Sequence, residues 1–263
     1  MDPRAEERGR GGRPRLSHRV TRIEGRLRSI FSSRSWVSAI FLNGSTVAGT
    51  DQSGSDVDFT VIVSRPADRA RALGLLRRRF GYRYLGLDHG VPTFRARRKI
   101  GVVILDRGTV DRWLGRLYRS PEDLRNLQGV IQHKIVEAVA VHDPQGVLPR
   151  FQKRATAYPA RIRRVVLSEA LRLLDEAYRN WGSRNEFNYV SELPSLLTEI
   201  CTALYARNRR LFMVPFKRLH VDLKGLRPNI EREMYRLVRS GRTARTRAQA
   251  RMTLGRILEK LRA

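Results

Sequence analysis

Residues 39–63 read AIFLNGSTVAGTDQSGSDVDFTVIV, and the fold follows from how this stretch is divided. Ala39-Ile40-Phe41-Leu42 is an apolar run that reads as a buried strand. Gly44-Ser45 ends it, and small residues there let backbone N–H groups approach a phosphate closely. Thr46 to Gly49 can start a short helix. Gln52-Ser53-Gly54-Ser55 is turn chemistry, and Asp56 to Val63 is a second strand, apolar after its acidic start. Side chains alternate along a strand, so Asp56 and Asp58 share a face, about 7 Å apart by strand rise. Two carboxylates so placed can share one or two Mg²⁺ ions.

Gly44-Ser45, Gly49-Thr50 and Ser55-Asp56-Val57-Asp58, in this order between two apolar runs, resemble the signature of the polymerase-beta-type nucleotidyltransferase superfamily. CCA-adding enzymes, oligoadenylate and cyclic-dinucleotide synthases, antibiotic nucleotidyltransferases and small bacterial and archaeal adenylyltransferases belong to it. The resemblance implies an α+β fold: a small mixed β-sheet nucleotidyltransferase domain backed by helices, then a C-terminal helical bundle. It implies transfer of a nucleoside monophosphate, expected to be AMP from ATP although another nucleoside triphosphate would serve, to an acceptor hydroxyl with Mg²⁺ or Mn²⁺. By resemblance, Asp56 and Asp58 are catalytic and hold the metal, and Gly44 and Ser45 hold the triphosphate. Relatives carry a third carboxylate on a later strand, here near Gly101, where this chain has no acid. Asp106 is the acid nearest to that place and is taken as the third catalytic and metal-binding carboxylate, although strand alternation puts it on the face opposite Gly101. The segment from Asn208 to Lys217 is similar to the helical region of lincosamide-type nucleotidyltransferases, which makes Lys217 a phosphate or acceptor ligand.

Working outward, residues 1–15 are rich in Arg, Gly and Pro and read as a disordered basic arm. Val20, Ile23, Leu27 and Ile30 recur at helical spacing after Ser17, a candidate N-cap, and predict a helix to about residue 33. Pro66 opens a basic helix to Phe80, with Ala70, Leu73, Leu76 and Phe80 inward. Tyr82 to Leu85, Val91 to Arg97 and Ile100 to Leu105 read as strands, the last two as a hairpin around Arg98-Lys99. The catalytic domain is expected over 16–115. From there to residue 263 the pattern is helical, with predicted helices over 110–118, 124–139, 159–181, 192–208, 228–240 and 243–262 and a turn over 141–146.

The 263 residues carry a formal net charge of +28. Only six of the 53 basic residues are lysine. A GC-rich genome explains arginine in place of lysine, but not 53 bases against 25 acids. The excess fits a polyanionic partner, most simply RNA. It disfavours a cationic drug as acceptor, while a protein or small-molecule acceptor stays open. A catalytically weak or inactive binder of RNA or the ribosome on the same fold is the alternative, motivated by the gap at Gly101. Cys201 is the only cysteine, which excludes an internal disulfide framework and fits a cytoplasmic protein. No run of about 18 apolar residues exists, so no membrane span is expected. The five histidines show no metal-site spacing, and no zinc site is expected.

Overall fold

The computed structural model describes residues 18–48, 56–81, 83–88, 91–96, 100–183, 186–210, 223–240 and 244–263. The basic arm expected over 1–15 lies outside them. Among the described residues no helix is long and apolar enough to cross a membrane.

The chain forms two compact units, and their sequence ranges interlace. One unit takes residues up to 115 together with 130–155; the other takes 116–129 and everything from 156. The boundary expected once, at 116, is therefore crossed three times.

Among the described residues of the first unit, six strands form one mixed sheet in the order β3-β4-β5-β2-β1-β6. They are β1 (Val37–Asn43), β2 (Val57–Val63), β3 (Arg83–Asp88), β4 (Val91–Ala96), β5 (Ile100–Asp106) and β6 (Val139–His142). β2 and β5 are parallel and the other neighbours antiparallel. Every residue of β1 and β5 is buried, which is why both read as continuous apolar runs rather than alternating ones. Alternation still sorts the faces. Ile40, Leu42, Phe59, Val61, Val102 and Ile104 cluster with α1 (His18–Phe31) and α3 (Asp68–Phe80). α3 stops where Gly81 takes a left-handed φ of 64° and its N–H caps the Arg77 carbonyl at 3.0 Å. The four-residue α2 (Ser45–Ala48) follows β1 directly, and α4 (Arg107–Arg116) follows β5.

The helix expected over 124–139 is three elements. α5 (Pro121–Ile131) runs into a π-helical turn at Gln132–Val136, and β6 then pairs with β1. The Gln152 side chain, on α6 (Val147–Thr156), donates to the carbonyls of Ile135, Val136 and Ala138 at 3.2, 3.2 and 3.1 Å. Asp143 caps α6 through the N–H groups of Val147 and Leu148 at 2.7 and 2.8 Å.

The second unit is helical, as expected. α7 (Ala160–Arg179), α8 (Glu186–Arg207), α9 (Glu231–Arg239) and α10 (Ala244–Arg262) pack around Ala170, Leu174, Ile200, Leu204, Leu237 and Leu254. Cys201 is buried in that cluster, so its role is packing.

Candidate functional site

Asp56 precedes β2 and Asp58 is its second residue. Val57 between them is buried among apolar side chains, and both aspartates are half-exposed. The period-two alternation of the strand thus turns the two carboxylates away from the α1/α3 face together.

The sheet register puts three residues beside one another at this end. Asp58 is opposite Asn43 of β1 and opposite Gly101 of β5. Gly44 follows Asn43 with a φ of +80°, a conformation that disfavours any residue with a side chain. A Cβ on Gly44 would lie 2.7 Å from Asp58 Oδ2, and one on Gly101 would lie 2.2 Å from Asp58 Oδ1. Both distances are far inside van der Waals contact. The Asp58 carboxylate therefore spans the space between two glycines, and neither position has room for a side chain while it does so.

Asn43 anchors the arrangement from below. Its side chain is fully buried, and its Nδ2 donates to Thr60 Oγ1 at 2.7 Å and to the Lys134 carbonyl at 3.4 Å. The second bond ties the end of β1 to the π-helical turn, a kind of helix irregularity that recurs at functional sites. Lys134 itself is buried, at 3% exposure. Sequence reading gave Asn43 no role; its position next to Gly44 was the available signal.

The place where the resemblance implies a third acid is the neighbour of Asp58, and it is a glycine. Asp106 is not brought there. It pairs with Val63, five residues farther along β5, about 16 Å away by strand rise, and it lies on the α3 side of the sheet. Its side chain is buried and fully engaged. The Thr109 N–H donates to Oδ1 at 2.9 Å, the Thr109 hydroxyl to Oδ2 at 2.7 Å, and Arg69 of α3 forms an ion pair with it. Burial alone would raise the Asp106 carboxyl, but the hydrogen bonds from Thr109 and the Arg69 guanidinium outweigh it and hold the group below the ordinary carboxylate range. Asp106 is the N-cap of α4, not a companion of Asp58.

Asp56 and Asp58 remain as oxygen donors. Among the described residues no group of three or more His, Cys, Asp or Glu is placed to hold a metal ion. Two carboxylates nevertheless fit Mg²⁺, which dehydrates reluctantly and is commonly held by one or two carboxylates together with substrate phosphates and water. Ser45 opens α2, and its backbone follows Gly44 at the same end of the sheet. Lys217, Gly49, Thr50 and Ser55 lie outside the described residues.

Residues 21–143 match the family described as "Nucleotidyltransferase domain". Among solved structures, a nucleotidyltransferase-like protein from Exiguobacterium sibiricum is 14% identical, with a TM-score of 0.41 over 90% of this chain and 74% of that one. Terminal uridylyl transferase 4 from Trypanosoma brucei with bound GTP is 12% identical, with a TM-score of 0.28 over 54% of this chain and 67% of that one. TM-scores this low carry no function from one chain to another. No curated protein sequence matches.

Proposed function

We propose, from the premise that residues 21–143 form a nucleotidyltransferase domain, that the protein moves a nucleoside monophosphate from a nucleoside triphosphate to an acceptor hydroxyl. ATP is the proposed donor and RNA the proposed acceptor, with Mg²⁺ or Mn²⁺ as cofactor. The observation that carries the reading is Asp58, held across Gly44 and Gly101 on the face it shares with Asp56. A divalent ion at this place supplies charge stabilisation to the transferring phosphoryl group. Asp56 and Asp58 would hold that ion through their carboxylate oxygens and so offset the repulsion between two carboxylates and a triphosphate. Gly44 keeps the approach to β1 clear of side chains, so a phosphate can come close to the backbone. Ser45 and Lys217 are proposed as further triphosphate ligands.

Gly101 favours a second reading. With no third acid beside Asp58 among the described residues, the acceptor hydroxyl lacks a carboxylate to take up its proton, so transfer is slow or the fold serves as a binder of RNA. The two readings separate in one experiment. Purified protein is incubated with each α-labelled nucleoside triphosphate, Mg²⁺ or Mn²⁺ and total RNA, beside an Asp56→Ala/Asp58→Ala control. Label that enters RNA and vanishes in the control supports the transferase and names its nucleotide. Label in the protein fraction moves the acceptor to a polypeptide. No label, with intact RNA binding, leaves the binder.

A further inference from the structure

A polar cavity lies in the first unit, away from the aspartates in sequence and built from α1, the turn after it, and α3. It has a volume of about 320 Å³ and is lined by Arg26, Ser29, Ile30, Arg34, Leu75 and Arg79. Three of the six are arginines and none is an acid. Among the described residues Arg26, Arg34 and Arg79 form no ion pair with a carboxylate, in contrast to Arg69 and Arg71 on the same helix α3. Three like charges around one cavity repel one another, and an anion seated there removes that cost.

Arg26 is fixed in place twice. Its guanidinium carbon sits 4.4 Å from the centre of the Phe80 ring, and its Nη2 donates to the Arg79 carbonyl at 3.1 Å. The second contact also satisfies a carbonyl of the last turn of α3, where cations are favoured. Only one of the five guanidinium donors is spent on it. A planar fork held this way has already lost much of the freedom it would give up on binding, and its geometry matches phosphate oxygens. Ile30 and Leu75 add an apolar wall, and the Ser29 hydroxyl, which donates to the Arg26 carbonyl at 2.8 Å, keeps lone pairs to offer.

We propose that this arginine cavity is a phosphodiester cradle that seats the backbone of single-stranded RNA. The inference rests on the RNA reading above for its ligand. A volume of about 320 Å³ exceeds the needs of one phosphate ion and suits a phosphate with its ribose, the sugar against Ile30 and Leu75. Arginines bound only to phosphate position the strand without selecting its bases.

The test compares Arg34→Gln/Arg79→Gln with Arg161→Gln/Arg164→Gln, which removes the same charge from exposed positions of α7. Arg26 is kept, because it packs on Phe80. Affinity for labelled oligouridylate is measured by anisotropy across a salt series, and KM for the nucleoside triphosphate is measured alongside. The cradle variant should bind about tenfold more weakly, and its log–log salt slope should fall by about 0.7 to 1.4, that is, one or two phosphate contacts. The α7 variant should change less, and KM should stay constant in both. Equal losses in the two variants would make the effect one of net charge alone and overturn the cradle. A raised KM with unchanged RNA affinity would assign the arginines to free nucleotide and overturn it as well. Absence of RNA binding by the wild type would overturn both the cradle and the RNA acceptor. Normal wild-type binding with an unaffected cradle variant would sink the cradle alone.

Discussion

Gly101 has a specific consequence at the scale of single residues. Alanine there would bring a Cβ within 2.2 Å of Asp58 Oδ1, so the carboxylate must turn aside. The backbone of β5 is extended and tolerates alanine, which confines most of the damage to the site. Gly101→Ala should lower single-turnover transfer about a hundredfold, the scale expected for a displacement of about 1 Å, with little change in unfolding temperature. Wild-type rates in this variant would mean that Asp58 does not act from the position it holds. Asp106 has the opposite character. Asp106→Ala should destabilise by about 1–3 kcal/mol, since α4 loses its N-cap and Arg69 its partner, without a specific loss of chemistry in the fraction that stays folded. Its carboxyl is more acidic in the fold than in the unfolded chain. Its contribution is therefore complete above the ordinary carboxylate pKa and fades as pH falls below about 4, where the unfolded chain takes up the proton first. Urea titrations across acid pH should show a shallower decline for Asp106→Asn than for the wild type. The sequence made Asp58 legible because its neighbours in the motif are local. It made Asp106 attractive only because it was the closest acid in the chain; the opposite face was already legible from strand alternation, while the pairing of Asp58 with Gly101 comes from the parallel register of β2 and β5, which no short stretch encodes.

At the scale of elements, the turn over Gln132–Val136 is the piece that local pattern could not supply. Its apolar residues continue the helical spacing of α5, so the periodicity runs on to residue 139, while the backbone changes to π-helix and then to strand. What stops the helix is contact from afar: Gln152 meets three carbonyls of this segment, and two N–H hydrogens serve all three. Gln152→Leu keeps the bulk and removes the donors. It should cost about 1–3 kcal/mol in thermal unfolding and speed amide exchange in β6 ahead of β2 and β5. Uniform exchange across the sheet would show that the turn and β6 are held by other means. α3, by contrast, was readable from Pro66 ahead of it and from apolar spacing that runs to Phe80, where the structure places its end.

For the whole molecule, charge was the plainest message of the sequence, since +28 needs no structure to be counted. If RNA is its partner, log affinity should fall linearly with log salt at a slope steeper than two or three phosphate contacts would give, because arginines well beyond one cavity contribute. A flat response would point to a protein partner. The change from strand-rich to helical pattern was legible in outline. The interlacing was not, because β6 is four residues long and its pairing with β1 joins positions about a hundred residues apart. That pairing governs what happens while the chain is being made. β5 has left the ribosome when residue 106 emerges, yet the outer edge of β1, the apolar run Ala39 to Leu42, has no partner until residue 142 follows. At roughly 5–20 residues per second the nascent sheet spends several seconds with that edge bare. During this interval it can template pairing with another chain, so a cell that makes this protein quickly needs something to cover β1 until β6 arrives.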